Sequence, residues 1–257
     1  MIVYINMLLP VFELLEDYNI KPKSILHVGA HLAEESTEYD KHFNVPVLWI
    51  EAQPNLCKEL RKSLNPKTNS VIEACVYDRD DELLKLNISS NSQSSSILHF
   101  GTHAETYPDV TVTEIVTVRT KRLDTILYDK EIPDFVNLDI QGVELKAIKS
   151  LGALLEKVQI IYTEVNKRDV YSGCDLIEEI DNYLEIHGFK RIATRWWLGA
   201  GWGDALYVKN SFPPRNYKQI FRGSFRLFKF YGFRSIVLIF GAKKYAKFLS
   251  KKIDKIN

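Results

Sequence analysis

Cysteine is scarce in this chain of 257 residues. Cys57, Cys75 and Cys174 are odd in number and form no CxxC pair, which excludes a disulfide framework and a thiolate zinc site and points to a reducing compartment. Internal repeats are absent as well. No apolar run is long enough for a bilayer: residues 1–15 are interrupted by Asn6, Pro10 and Glu13, and residues 236–240 are too few. The start also lacks a basic leader, so the expectation is a protein that stays in the cytoplasm. Apolar residues at 46% and charged residues at 26% match an ordinary soluble protein, and a chain of this length buries enough surface to exclude disorder for most of it.

The net charge of +1 hides a division. From Lys209 onward, 13 Lys and Arg stand against Asp254 alone, a net +12; residues 1–208 carry 21 basic and 32 acidic residues, a net −11. In the tail, Phe221, Phe225 and Phe228 recur at helical spacing beside Arg222, Arg226 and Lys229. A second set, Tyr245, Leu249, Ile253 and Ile256, opposes five lysines. Two basic amphipathic helices are expected, suited to an anionic membrane surface. Packing on the acidic body or on a second subunit is the alternative, and nucleic acid the least favoured partner.

Strand and helix patterns alternate along the rest. A helix over 9–20 precedes strands at 24–30, 45–50 and 70–76, with helices at 33–43 and 54–64 between them. Short strands at 83–88 and 114–119 flank a Ser-rich insert that is long for a loop. Strands at 135–138 and 158–163 enclose a helix over 143–155. A helix over 176–187, closed by Gly188, leads to a terminal hairpin of 189–194 and 205–209. This alternation predicts an α/β fold: a mainly parallel sheet, helices on both faces, an antiparallel hairpin at the end and a basic helical tail. The expected division is 1–20, 21–210 and 211–257.

In such sheets ligands sit beyond the carboxyl ends of the strands. His27, Gly29, Ala30, Glu51, Asp139 and Glu164 fall at predicted strand ends. Glu51 lies 22 residues beyond Gly29, the spacing of a carboxylate that grips ribose hydroxyls. The glycines of GxGxxG, which admit a pyrophosphate, are missing, so the expected cofactor has a nucleoside but no diphosphate. S-adenosylmethionine meets that description. Asp139, at a strand terminus, is a candidate base or cofactor contact; Glu144 serves either the site or the helix start. His103 in the insert is a third candidate base beside Asp139 and Glu164. The insert is either a connection or a surface for carbohydrate hydroxyls. Trp196, Trp197 and Trp202 either pack the hairpin or stack on sugar rings, and Asp204 either caps the turn or orients a substrate hydroxyl.

Five segments together carry a resemblance: Leu26-His27-Val28-Gly29-Ala30-His31, Ile50-Glu51-Ala52-Gln53-Pro54, Ser94-Ser95-Ser96-Ile97-Leu98 with Gly101-Thr102-His103, Leu138-Asp139-Ile140-Gln141-Gly142-Val143-Glu144-Leu145, and Tyr162-Thr163-Glu164-Val165. The chain resembles the FkbM family of methyltransferases over roughly residues 21–210. The resemblance implies a class I S-adenosylmethionine-dependent fold and O-methylation of a sugar hydroxyl in a glycan or lipid-linked saccharide. It implies Gly29 and Ala30 under the methionine portion, with His27 nearby, Glu51 on the ribose, and Val76 to Asp78 beside the adenine. It implies Asp139 and Glu164 at the border of the methyl-transfer centre and Ser94, Ser95 and Ser96 toward the acceptor, while His103, Trp202 and Asp204 are candidates for the acceptor side from their own positions. The sequence departs from the family pattern at His27 and at Gln141, and Gln141 argues against a two-carboxylate metal site, so no metal is predicted. The rival acceptors are a lipid, a peptide or a small metabolite, and the rival class is an idle scaffold recruited to a membrane.

Overall fold

The computed structural model describes residues 9–212. Residues 21–212 and Leu9 form one compact unit; residues 10–20, with helix α1 (Val11–Asp17), belong to a second. The two basic helices expected beyond residue 212 lie outside the described residues.

The first unit is built on a seven-stranded sheet of order β3-β2-β1-β7-β8-β10-β9. Its strands are β1 (Ile25–Val28), β2 (Val47–Glu51), β3 (Asn69–Glu73), β7 (Phe135–Leu138), β8 (Ile160–Asn166), β9 (Phe189–Trp196) and β10 (Trp202–Lys209). All pairs are parallel except those of β10, which runs antiparallel to both β8 and β9. Central strands β1, β7 and β8 are buried along their whole length, as their continuous apolar runs require when helices cover both faces. The crossovers hold α2 (Ser36–His42), α3 (Pro54–Ser63), α6 (Glu144–Ser150) and α7 (Ile177–Ile186). Pro54 opens α3 at a position where its missing N–H costs nothing. Leu26, Val136, Ile148, Ile161, Ile180 and Leu184 lie in the main core.

A second sheet, β4-β6-β5, joins β4 (Cys75–Val76), β5 (Leu83–Ser89) and β6 (Val112–Lys121). It corrects the single strand expected over 70–76. Ala74 N–H donates to the Glu51 carbonyl, after which the chain leaves the large sheet and Cys75 and Val76 pair with Thr120 and Lys121. The helix expected over 143–155 also divides: α6 ends at Ser150, and Gly152, with φ +52°, begins a 3-10 turn, Gly152–Glu156. The Ser-rich insert is ordered. It holds a 3-10 turn, Ser92–Ser94, and bridges Asn87 to Ser96 and Phe100 to Tyr171, with short helices α4 (His103–Thr106) and α5 (Leu123–Ile126) on either side of β6. Among the described residues no helix is long and apolar enough to cross a membrane.

Candidate active site

The strand order reverses between β1 and β7, and the turns leaving these two strands meet. Gly29 has φ +86°, and a Cβ there would collide with the Asp139 carbonyl; the glycine is needed for the close approach of the two strand ends. Gly29 and Ala30 donate to the Ile50 carbonyl at 2.9 and 3.0 Å. His31 N–H donates to Glu51 Oε2 at 2.9 Å and Gln53 N–H to Oε1 at 2.8 Å. Each Glu51 oxygen keeps a further acceptor position. Burial raises the Glu51 pKa, and the backbone donors offset this only in part.

Asp139 and Glu164 come together through Gln141. The Gln141 amide donates to Asp139 Oδ1 at 2.5 Å and to Glu164 Oε2 at 3.0 Å, and its carbonyl accepts from the Tyr171 hydroxyl at 2.5 Å. Gln141 and Gly142 both have positive φ, 59° and 108°, which curls this turn over the strand end. Glu144 lies beneath it, accepting from Ile140 and Gly142 N–H at 3.1 and 3.0 Å. Complete burial, with Asp139 and Asp175 nearby, pushes its carboxyl up to about 8.

The surrounding field is acidic. Burial, followed by the charges of Asp139, Glu144 and Asp204, holds the Glu164 pKa well above the usual carboxylate range. Asp139 opens to the crevice, but the protein around it still raises its pKa. Glu35, half-buried at the start of α2, is pushed to about 8 by desolvation and by Asp139, Glu34 and Asp204. His31 supplies the opposing charge: burial disfavours its cation, but the 2.7 Å bond to Glu34 and the charges of Glu34, Glu51 and Asp139 prevail and raise its pKa. Its other nitrogen meets Ser92 Oγ at 2.7 Å, tying the insert to the crevice.

Not every expected residue reaches this crevice. His27 is 2% exposed, stacked on Trp49 and held by Tyr39 and Asn137 at 3.2 and 3.3 Å. Burial drives its pKa to about 3, so its ring is a neutral core group. His103 sits on α4 rather than on a solvated loop. Its ring stacks on Phe100 with centroids 4.5 Å apart, its Nε2 meets Ser94 Oγ at 3.3 Å, and its Nδ1 is buried without a hydrogen-bond partner among the described residues. Ser95 and Ser96 spend their hydroxyls on the Ser92 and Gln141 carbonyls. Asp204 lies inside β10, where it accepts from the Tyr162 hydroxyl, and so does not cap the turn. Trp202 stacks on Trp197 with centroids 5.6 Å apart and rings nearly parallel. Val76 is buried at the end of β4, and Asp78 Oδ1, just beyond it, is buried with no hydrogen-bond partner among the described residues. Sequence reading missed Glu34, Glu35, Ser92, Gln93 and Tyr171; the one available signal was the run of acids opening the 33–43 helix. Among the described residues, no three His, Cys, Asp or Glu side chains are placed to hold one metal ion.

A sheet whose last strand inserts antiparallel beside β8, with polar groups gathered at its carboxyl edge, defines a class I methyltransferase. The methyltransferase FkbM domain matches residues 27–191, and the chain belongs to this family of S-adenosylmethionine-dependent enzymes. Among solved structures, the fold is similar to TrmK of M. capricolum in complex with S-adenosyl-homocysteine, at 8% identity over 82% of this chain and 73% of that one (TM-score 0.45). It is similar also to magnesium protoporphyrin IX methyltransferase of Synechocystis PCC 6803 with bound S-adenosylmethionine, at 11% identity over 77% and 76% (TM-score 0.43). A third is precorrin-6y C5,15-methyltransferase of Geobacter metallireducens GS-15, at 13% identity over 77% and 85% (TM-score 0.41). Among curated protein sequences none matches.

Proposed function

We propose that residues 21–210 catalyse O-methylation of a sugar hydroxyl in a glycan or lipid-linked saccharide. The observation that carries this reading is the pair Asp139 and Glu164, held side by side at the strand ends by one glutamine amide. When bound, S-adenosylmethionine supplies an electrophilic methyl carbon on a sulfonium.

The residues suit that cofactor. Glu51 retains acceptor capacity for two ribose hydroxyls. Asp78 Oδ1, the unpartnered acceptor, matches an adenine amino group. The acids Glu35, Asp139 and Glu164 leave a cationic ligand better solvated than an anionic one.

An attacking alcohol must lose its proton as the new bond forms, so a base is required. Asp139 and Glu164 are the candidates the geometry favours, since the His103 ring is already taken by its aromatic neighbours. A neighbouring positive charge lowers carboxylate pKa values, so these acids become proton acceptors when the cation arrives. Positioning contributes roughly 7 to 11 kcal/mol to such displacements, and a base ~100- to 10,000-fold in rate. The basic sequence from Lys209 onward supports an acceptor held at the inner face of a membrane.

The test is transfer of labelled methyl to a panel of saccharides, lipids and peptides. Label in a saccharide, lost in Glu164→Gln, is expected. Label confined to a lipid or peptide would replace the acceptor.

A further inference from the structure

Beyond Glu164, β8 continues for two residues and delivers Lys167 and Arg168 to the same carboxyl edge. At about 3.3 Å per residue this places them roughly 10 Å along the strand from Glu164. They meet the turn between β9 and β10. Lys167 N–H donates to the Gly201 carbonyl at 2.8 Å, and its ammonium lies 3.9 Å from the centre of the Trp196 ring. Arg168 donates from one guanidinium nitrogen to the Gly199 and Ala200 carbonyls at 3.0 and 3.3 Å. Gly201 has φ +85°, and a Cβ there would collide with the Arg168 side chain. The turn is therefore shaped to hold this arginine.

Both cations are exposed, and neither forms an ion pair with a carboxylate among the described residues. Asp169, the next residue, forms no ion pair with either. Both are anchored at this turn, in a body of net charge −11. On the side away from β7, the turn beside them carries an aromatic surface: Trp197, 45% exposed, stacks on Trp202, offering an indole face on which a sugar ring can lie. The donors that Arg168 keeps beyond Nη2 and an oriented lysine are suited to carboxylate or phosphate.

We infer that the corner of Lys167, Arg168 and Trp197 binds the anionic group of the acceptor, so that the substrate is a saccharide bearing a carboxylate or a phosphate. This rests on the saccharide reading above and narrows it. A polyanion such as RNA is disfavoured, because the carboxylates of the crevice beside the corner repel a chain of phosphates.

The experiment titrates the full chain with trigalacturonate, glucose 1-phosphate and neutral maltotriose, read by tryptophan fluorescence and calorimetry. One of the two anions is expected to bind at least tenfold tighter than maltotriose and to weaken with added KCl. Lys167→Gln and Arg168→Gln are each expected to cut that affinity about fivefold or more, leaving maltotriose binding and the circular dichroism spectrum unchanged. Lys167 is exposed, so its variant keeps the test valid should Arg168→Gln disturb the turn. Equal binding of all three sugars, wild-type affinity in the Lys167 variant, or tighter binding of an oligouridylate overturns the inference. Methyl transfer is scored separately. Anion binding without methyl transfer to any saccharide defeats the sugar O-methylation reading but not this corner, whereas equal methylation of maltotriose and trigalacturonate does the opposite.

Discussion

Glu164 on β8 stands directly opposite Asp204 on β10, two carboxylates facing each other across a strand pair and both 8% exposed. Like charges so placed are destabilising. Their neighbours differ: the Tyr162 hydroxyl donates to Asp204, while Glu164 accepts from Gln141. Burial, followed by the charges of Asp139, Glu144 and Asp204, raises the Glu164 pKa, which suits Glu164 to hold or take the proton. Glu164→Gln is expected to lower kcat about 100-fold or more, a larger loss than it causes in cofactor affinity, as steady-state kinetics with labelled cofactor would reveal.

Glu51 has the converse role. Glu51→Ala is expected to weaken S-adenosylmethionine binding by about 10- to 100-fold, the worth of hydrogen bonds to a charged group. Calorimetry checks this, and unchanged affinity would remove Glu51 from the ribose.

Cofactor binding should release protons. Glu35 and Glu164 have raised pKa values in the free protein, and a sulfonium beside them lowers these values. Calorimetry at pH 7 in two buffers of different ionisation enthalpy should show more protons released by S-adenosylmethionine than by S-adenosylhomocysteine, which lacks the sulfonium charge. Equal release by the two would contradict the arrangement.

Stability should fall with rising pH in the free protein. Glu35 titrates at 4.5 when unfolded and at about 8 when folded, so the folded state binds the extra proton between these values. Its contribution is complete below about pH 4.5 and is lost as pH rises through about 8. Glu35→Gln should flatten the melting-temperature profile across that window. A variant profile as steep as the wild type would assign the slope elsewhere.

Gly29→Ala should be severely destabilising, by several kcal/mol, because it combines a positive φ with a collision against the Asp139 carbonyl. Chemical denaturation measures this, and a loss under about 1 kcal/mol would mean that the strand ends are looser than they look.

Much of the fold was legible because the strands are bounded by recognisable residues. Phe135–Leu138 is an apolar run stopped by a charge, and both of its ends agree with the structure. Strands β5 and β6 were expected at 83–88 and 114–119, but their union with β4 in a second sheet was not legible, since that pairing joins residues distant in sequence. In the site, Asp139 and Glu164 could be read from strand ends, although β8 runs on to Asn166 because Trp202 pairs with it. Gln141 was noted only as a departure from the family pattern. Its clamp depends on left-handed backbone at two successive residues and on Tyr171, thirty positions away, which no local pattern encodes. His27 misled because a polar residue at a strand end reads as a ligand contact, and only packing against Trp49 and Tyr39 reveals otherwise.

Because β10 inserts between β8 and β9, β9 has no neighbour to join until the strand that follows it has been made. A nascent chain leaving the ribosome can assemble β1, β2, β3, β7 and β8, yet the acids at positions 164 and 204 are brought face to face only near the close of the domain's synthesis. Translation order thus keeps these two carboxylates apart until the rest of the scaffold is there to hold them.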